Sequence, residues 1–145
     1  MTSPDIIIIE DNPHDVEMIL DAFRESGINS EAIIFRDGAE ATEYFFGSGG
    51  IVTSGKLCLP RLILLDLKLP KINGIEVLKL LKSDDMTKFV PVVVFTSSNE
   101  ARDKQESYRL GVNSYLVKPS DADEFADHVK QVMNYWTKLN VNTYC

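Results

Sequence analysis

Cysteine is almost missing from the chain: Cys58 and Cys145 are far apart, and the second is the last residue. A disulfide framework and a cysteine-built metal site are therefore both excluded, and two reduced thiols are expected. Histidine is as scarce. His14 and His128 have no partner at ligand spacing, so both are read as surface residues. His14, in the first turn of the first helix, stands where a protein partner could reach it. Long apolar runs are absent too; the longest, such as Ile6 to Ile9, cover only a few residues, and nothing there spans a bilayer. No basic segment followed by an apolar one marks a secretory signal. Positive charge is in deficit, with a net charge of −7. That argues against counterion-driven nucleic-acid binding and against docking on anionic lipid. The absences together lead to the expectation of a cytoplasmic protein without nucleic-acid or membrane partners.

The 145 residues, 44% apolar and 26% charged, suit a single domain spanning 1–145. A chain of that size buries roughly 70% of its unfolded surface. Short apolar runs recur at Ile6 to Ile9, Ala32 to Phe35, Leu62 to Leu65, Val90 to Phe95 and Tyr115 to Val117. They lack polar alternation, as strands of a parallel sheet covered on both faces do. Helical patterns lie between them. Asn12-Pro13 reads as a cap with proline at the first helical position. Val16, Ile19, Leu20 and Phe23 then fall on one face, and Gly27 can end the helix. Asp37 with Glu40, and Asn73 with Glu76, resemble capping boxes. Phe125, Val129, Val132, Met133 and Trp136 form a stripe on the last helix. Ala101 to Glu106 is nearly all polar, so the fourth helix is expected to be loosely held, anchored by Tyr108 and Leu110. Residues 47–60, with Gly-Ser-Gly-Gly and Thr-Ser-Gly, read as a long loop before the third strand. Strands alternating with helices give an α/β, doubly wound sheet.

In such sheets, sites form at the carboxyl ends of strands. The first strand ends in Glu10-Asp11, the third in Asp66, the fourth in Thr96-Ser97 and the fifth in Lys118-Pro119. Three carboxylates, a hydroxyl and an ammonium thus share one edge. Two like charges 4 Å apart repel by about 4 kcal/mol at an effective dielectric of about 20, so the acidic group calls for a cation. Hard oxygen ligands suit Mg²⁺ (or Mn²⁺), which can polarise a transferring phosphoryl group. A carboxylate can act as a nucleophile and form an acyl phosphate. A lysine pairs with phosphate as a point charge, and a threonine hydroxyl can donate to a phosphate oxygen.

As a set, these motifs resemble the receiver domain of two-component response regulators. The likeness runs from about Ile6 to Leu139. Ile8-Ile9-Glu10-Asp11-Asn12 resembles the acidic-pair motif. Leu64 to Pro70 followed by Asn73-Gly74 resembles the phosphorylation-site motif. Val94-Phe95-Thr96-Ser97 resembles the switch-threonine motif, and Tyr115-Leu116-Val117-Lys118-Pro119 the aromatic-x-x-Lys-Pro motif. The resemblance implies a flavodoxin-like, five-stranded parallel sheet ordered 2-1-3-4-5 and flanked by five helices. It implies Asp66 as phosphoacceptor, with Lys118 and Thr96 contacting the phosphoryl group. Glu10, Asp11, Asp66 and the backbone carbonyl of Lys68 would ligate Mg²⁺. Thr96 and Tyr115 would form a switch, and the Lys118-Pro119 bond would be cis. Lys68 stands two residues after Asp66, where family members vary, and with Ser98 would tune hydrolysis of the phosphoryl group.

The same resemblance implies a sensor histidine kinase or a phosphotransfer protein as donor. Arg61 to Leu65, the lengthened loop before it and Pro91 to Val94 are similar to stand-alone regulators of phytochrome-type kinases. A downstream protein would read the face of the fourth helix, fifth strand and fifth helix, with the chain a monomer or a weak dimer through that face. No output domain is expected after the fifth helix, and no enzyme activity beyond self-phosphorylation and self-dephosphorylation. Three other readings on this layout fare worse. A phosphatase resembling the haloacid dehalogenases wants an acid two residues after its nucleophile, where Lys68 stands. A flavin carrier wants a phosphate loop where Glu10-Asp11 would repel it. A binding-only pseudo-receiver lacks part of the site, and this chain lacks none. No G-x-x-x-x-G-K-[ST] is present, so a P-loop nucleotidase is excluded.

Overall fold

The structure, a computed structural model, describes residues 5–54 and 59–142; Cys58 and Cys145 lie outside them. The elements follow in order: β1 (Ile6–Ile9), α1 (Pro13–Glu25), β2 (Ala32–Phe35), α2 (Gly38–Phe46), β3 (Leu62–Leu65), α3 (Gly74–Ser83), β4 (Val92–Thr96), α4 (Ala101–Leu110), β5 (Ser114–Val117) and α5 (Ala122–Asn134). A π-helical turn, Tyr135–Leu139, closes the series. The five strands are parallel and ordered β2-β1-β3-β4-β5.

Both faces of the sheet are covered, which accounts for strands without alternation. On one face Ile7, Ile9, Ile63, Leu65, Val92 and Val94 meet Ala41 and Phe45 of α2 and Val77, Leu78 and Leu81 of α3. On the other, Ile6, Ile8, Leu62, Leu64, Val93 and Phe95 meet Ile19 and Ala22 of α1 and Phe125, Val129 and Met133 of α5. Trp136 and Val132 pack at the margin of that second core. The helix starts follow the caps read from the sequence. Asn12 Oδ1 accepts from the amides of His14 and Asp15, Asp37 Oδ1 from Glu40, and Asn73 Oδ1 from Glu76.

Two sequence expectations need revision. The fourth strand begins at Val92 rather than Val90. Pro91 has no N–H to give the ladder, and its carbonyl accepts from Ile63 at 2.9 Å. On α4 it is Ser107 that is buried, donating to the Asp103 carbonyl at 2.7 Å, while Tyr108 is exposed. Leu110 alone of the two expected anchors packs on the core. In the loop after α2, Ile51 and Leu59 are both buried in the α2–α3 core. No helix among the described residues is long and apolar enough to cross a membrane.

Candidate functional site

The parallel register sets the strand ends side by side. Ile9 lies opposite Leu65 on one flank and Phe35 on the other, and Thr96 lies opposite Val117. Backbone bonds extend the ladder one residue further. Glu10 N donates to Phe35 O at 2.9 Å, Asp66 N to Ile9 O at 3.0 Å and Lys118 N to Thr96 O at 2.7 Å. The residues that follow β1, β3 and β5 are therefore held by the sheet itself, the most rigid support the fold offers.

Their side chains converge. Lys118 Nζ donates to Glu10 Oε1 at 2.5 Å, to Asp15 Oδ2 at 2.8 Å and to Asp66 Oδ2 at 3.0 Å. Glu10 and Asp66 are buried, whereas Asp11 is exposed beside them. One carboxylate oxygen from each of Glu10, Asp11 and Asp66 lies within 4.8 Å of the others. Three carboxylates contact one ammonium and a fourth, Asp11, lies beside two of them, and that excess of negative charge fits a site for a hard divalent cation. The electrostatics bear the same mark. Burial, and then the neighbouring Asp66 carboxylate, push Glu10 up to about 7 against the pull of Lys118. Burial works against the Lys118 ammonium, but hydrogen bonds to Asp15 and Glu10 outweigh it and hold Lys118 above the ordinary lysine range.

The loop after β3 is tied down. Lys68 N donates to Asp66 Oδ1 at 3.2 Å, and Gly74 N donates to Leu67 O at 2.9 Å. At the far end of the loop, Lys71 adopts φ +66°, and its ammonium lies 3.4 Å from Asp37 Oδ2, the cap of α2. An open cleft lined by Asp11, Lys68, Pro70, Asn73, Arg102 and Asp103 runs from the acidic cluster to α4. A phosphoryl donor can approach there.

Thr96 is fully buried at the end of β4, and its Oγ1 accepts from Ser98 N at 3.4 Å. Half-buried Tyr115 donates its hydroxyl to Ser98 O at 2.9 Å, joining β5 to the β4–α4 turn. Burial raises the Tyr115 phenol above its ordinary range. Ser98 in turn donates to Asp103 Oδ2 on α4 at 2.5 Å. Thr96 and Tyr115 therefore share a neighbour, Ser98, which is also bonded to the helix that carries the cleft's outer wall.

The expected cis bond is a correction. No peptide bond among the described residues is cis, so Lys118-Pro119 is trans. The trans form is favoured by about 0.5–1 kcal/mol at X-Pro bonds, and Lys118 reaches all of its partners from it. Asp15 is the residue that sequence reading missed. An acidic residue in the first turn of a helix has an ordinary explanation in the helix dipole, and nothing in its spacing from Lys118, 103 positions away, marks a contact. His14 is exposed on that turn, and His128 lies on α5 away from the cluster, its buried Nδ1 without a hydrogen-bond partner.

Comparison with known proteins decides the family. The family model for the response regulator receiver domain matches residues 6–130. The chain belongs to that family. It is 36% identical to the probable methanogenesis regulatory protein FilR2 of Methanothrix harundinacea, over 93% of this chain and 84% of that one. It is 37% identical to the response regulator Rcp1 of Synechocystis, over 90% of this chain and 87% of Rcp1. The solved Mn²⁺-bound form of Rcp1 superposes with a TM-score of 0.84 over 96% of this chain and 99% of Rcp1, at 34% identity. The phosphorylated cyanobacterial phytochrome response regulator RcpA superposes with a TM-score of 0.87 over 98% of this chain and 99% of RcpA, at 35% identity. The resemblance to stand-alone phytochrome regulators is thus borne out, as is the 2-1-3-4-5 sheet. Receiver domains bind Mg²⁺ or Mn²⁺ at an acidic pocket, and the Glu10, Asp11 and Asp66 cluster of this receiver matches that chemistry.

Proposed function

We propose that this receiver takes a phosphoryl group onto Asp66 from a phosphohistidine. The observation that carries the reading is the Asp66 carboxylate, held at the end of β3 next to the open cleft that Asp11, Leu67 and Lys68 line, 3.0 Å from the Lys118 ammonium and grouped with the Glu10 and Asp11 oxygens. An Asp66 oxygen forms a bond to phosphorus as the bond from phosphorus to the donor imidazole breaks, and the imidazole, already protonated on its other nitrogen, leaves as the neutral base. Water later breaks the acyl phosphate and restores the carboxylate. Glu10, Asp11, Asp66 and the Lys68 carbonyl would hold the Mg²⁺, which when bound supplies charge neutralisation at the phosphoryl oxygens. Lys118 offers N–H donors to a phosphoryl oxygen, and the Thr96 hydroxyl donates to another after a small shift.

That shift would break or remake the contacts around Ser98 and so move the β4–α4 turn relative to Tyr115, a local charge event read out by a two-state element. The output is then the face of α4, β5 and α5, presented to a downstream protein or to a second copy. The family relationship to RcpA supports a phytochrome-type kinase, or a phosphotransfer protein, as donor. The setting of such an exchange is the cytoplasm, and the protein is a signalling phosphoacceptor rather than a dedicated enzyme.

Incubation with Mg²⁺ and acetyl phosphate should add one phosphoryl mass to the intact protein. The adduct should be stable in acid, lost in base and absent when EDTA replaces Mg²⁺. A well-folded protein that gains no mass and binds no beryllofluoride would refute the acceptor reading. Sedimentation of the beryllofluoride complex should show a shift toward dimer relative to the free protein; identical profiles would rule out the phosphorylation-driven dimer.

A further inference from the structure

Lys118 has three N–H bonds and three carboxylate partners, Glu10, Asp15 and Asp66. Two of these have other demands on them. Glu10 and Asp66 belong to the trio of acidic residues whose oxygens converge within 4.8 Å; Asp15 does not. On the reading above, Asp66 also ceases to be a free carboxylate once one of its oxygens is bonded to phosphorus. Asp15 is the one partner of the ammonium that neither a metal nor the phosphoryl group displaces.

Its placement is rigid. Asn12 Oδ1 accepts from both His14 N and Asp15 N, at 3.0 and 3.1 Å, and Pro13 fixes the first helical φ. Those caps set the first turn of α1 directly above the end of β1, so Asp15 Oδ2 meets Lys118 Nζ at 2.8 Å with the side chain only 19% exposed. Lysine is a point charge on a flexible four-carbon stem, with rotamer entropy to lose. A charge-assisted bond from a fixed carboxylate restrains that stem before the phosphoryl group arrives.

We infer that Asp15 is a positioning residue, one that keeps the Lys118 ammonium aimed at the Asp66 oxygen so that Lys118 meets the phosphoryl group in a single orientation. The inference rests on Asp66 being the acceptor. Two bland roles compete with it. A helix-dipole role would affect the stability of α1 without touching Lys118. A purely repulsive role would make Asp15 a hindrance to an anionic phosphoryl group, and its removal would tighten binding.

A double-mutant cycle separates the three. Beryllofluoride with Mg²⁺ serves as the phosphoryl probe, and ¹⁹F NMR reports its binding to the full chain. The proteins are wild type, Asp15→Asn, Lys118→Ala and the double variant, with Asp15→Ser as a second substitution compatible with a helix start. Wild-type binding tests the acceptor reading by itself, and its failure would remove both claims. With wild-type binding in hand, Asp15→Asn and Asp15→Ser should each weaken the probe about tenfold, the size of one charged hydrogen bond. Neither should weaken it further in the Lys118→Ala background. Unchanged or tighter binding by the single variants overturns the inference, as does an equal loss with and without Lys118.

Discussion

Asp66→Asn should leave the protein unable to gain a phosphoryl group from acetyl phosphate and, in metal-free buffer, should raise its melting temperature. The first effect is complete because an amide oxygen is too weak a nucleophile to replace the carboxylate. The second follows from the charge arrangement. Asp66 is buried, with Glu10 and Asp11 oxygens within 4.8 Å. Its removal as a charge relieves two repulsions and one desolvation cost. What is lost is one of three bonds to Lys118, and the ammonium keeps Glu10 and Asp15. A gain of about 1 kcal/mol, or roughly 3 °C in a domain of this size, is expected.

The pH dependence gives an independent check. Glu10 is raised to about 7 in the folded protein from an ordinary 4.5, first by burial and then by Asp66. Between those values the folded state holds more protons than the unfolded one, so stability falls as pH rises from 4.5 to 7. Asp66→Asn should flatten that slope. Saturating Mg²⁺ should narrow the difference in melting temperature, because it stabilises the wild type more. Thermal scans at pH 5, 6 and 7, with EDTA or Mg²⁺, measure all of this; a variant that melts below wild type in EDTA would show that the cluster is a net stabiliser.

Much of this site was legible in the sequence because each of its members sits where a periodic pattern stops. Ile6 to Ile9 gives way to Glu10, and Leu62 to Leu65 gives way to Asp66. A run that must be buried on both faces can end only where the chain leaves the sheet. The order of the strands came from resemblance, and with it the meeting of Lys118 with Glu10 across 108 positions. What sequence could not display was the role of residues with an ordinary local excuse. Asp15 looks like a dipole residue, and Ser107 like one more polar residue on a polar helix. Each is singled out only by a partner from another element or by burial that periodicity does not report. Tyr108 failed in the opposite way: a large aromatic side chain made it the natural anchor of α4, yet the short helix turns it to solvent and lets Ser107 approach instead.

Gly74 carries the second large effect, and it is steric. The residue opens α3 directly after the Asn73 cap, with a backbone that other residues could adopt. A Cβ there, however, would lie 2.3 Å from Asp66 O and 2.5 Å from Leu67 Cα. Those are backbone atoms of the loop that carries Asp66, and they cannot rotate away as a side-chain end can. Gly74→Ala therefore has to push α3 and the 66–67 backbone apart and lose the Gly74 N to Leu67 O bond of 2.9 Å. Overpacking of this kind costs about 3 kcal/mol, and a displacement on the order of 1 Å at a reacting atom costs about a hundredfold in rate. Gly27→Ala is the natural comparison. Its φ is +71° with nothing within 4 Å of the added carbon, so only the left-handed backbone is penalised, by about 1 kcal/mol. Urea unfolding should rank Gly74→Ala well below Gly27→Ala. Phosphorylation by acetyl phosphate, followed by intact mass, should be slowed in the first and unchanged in the second. Equal stabilities would mean that the β3–α3 loop yields easily, and a normal rate in Gly74→Ala would mean that Asp66 does not depend on this close approach for its position.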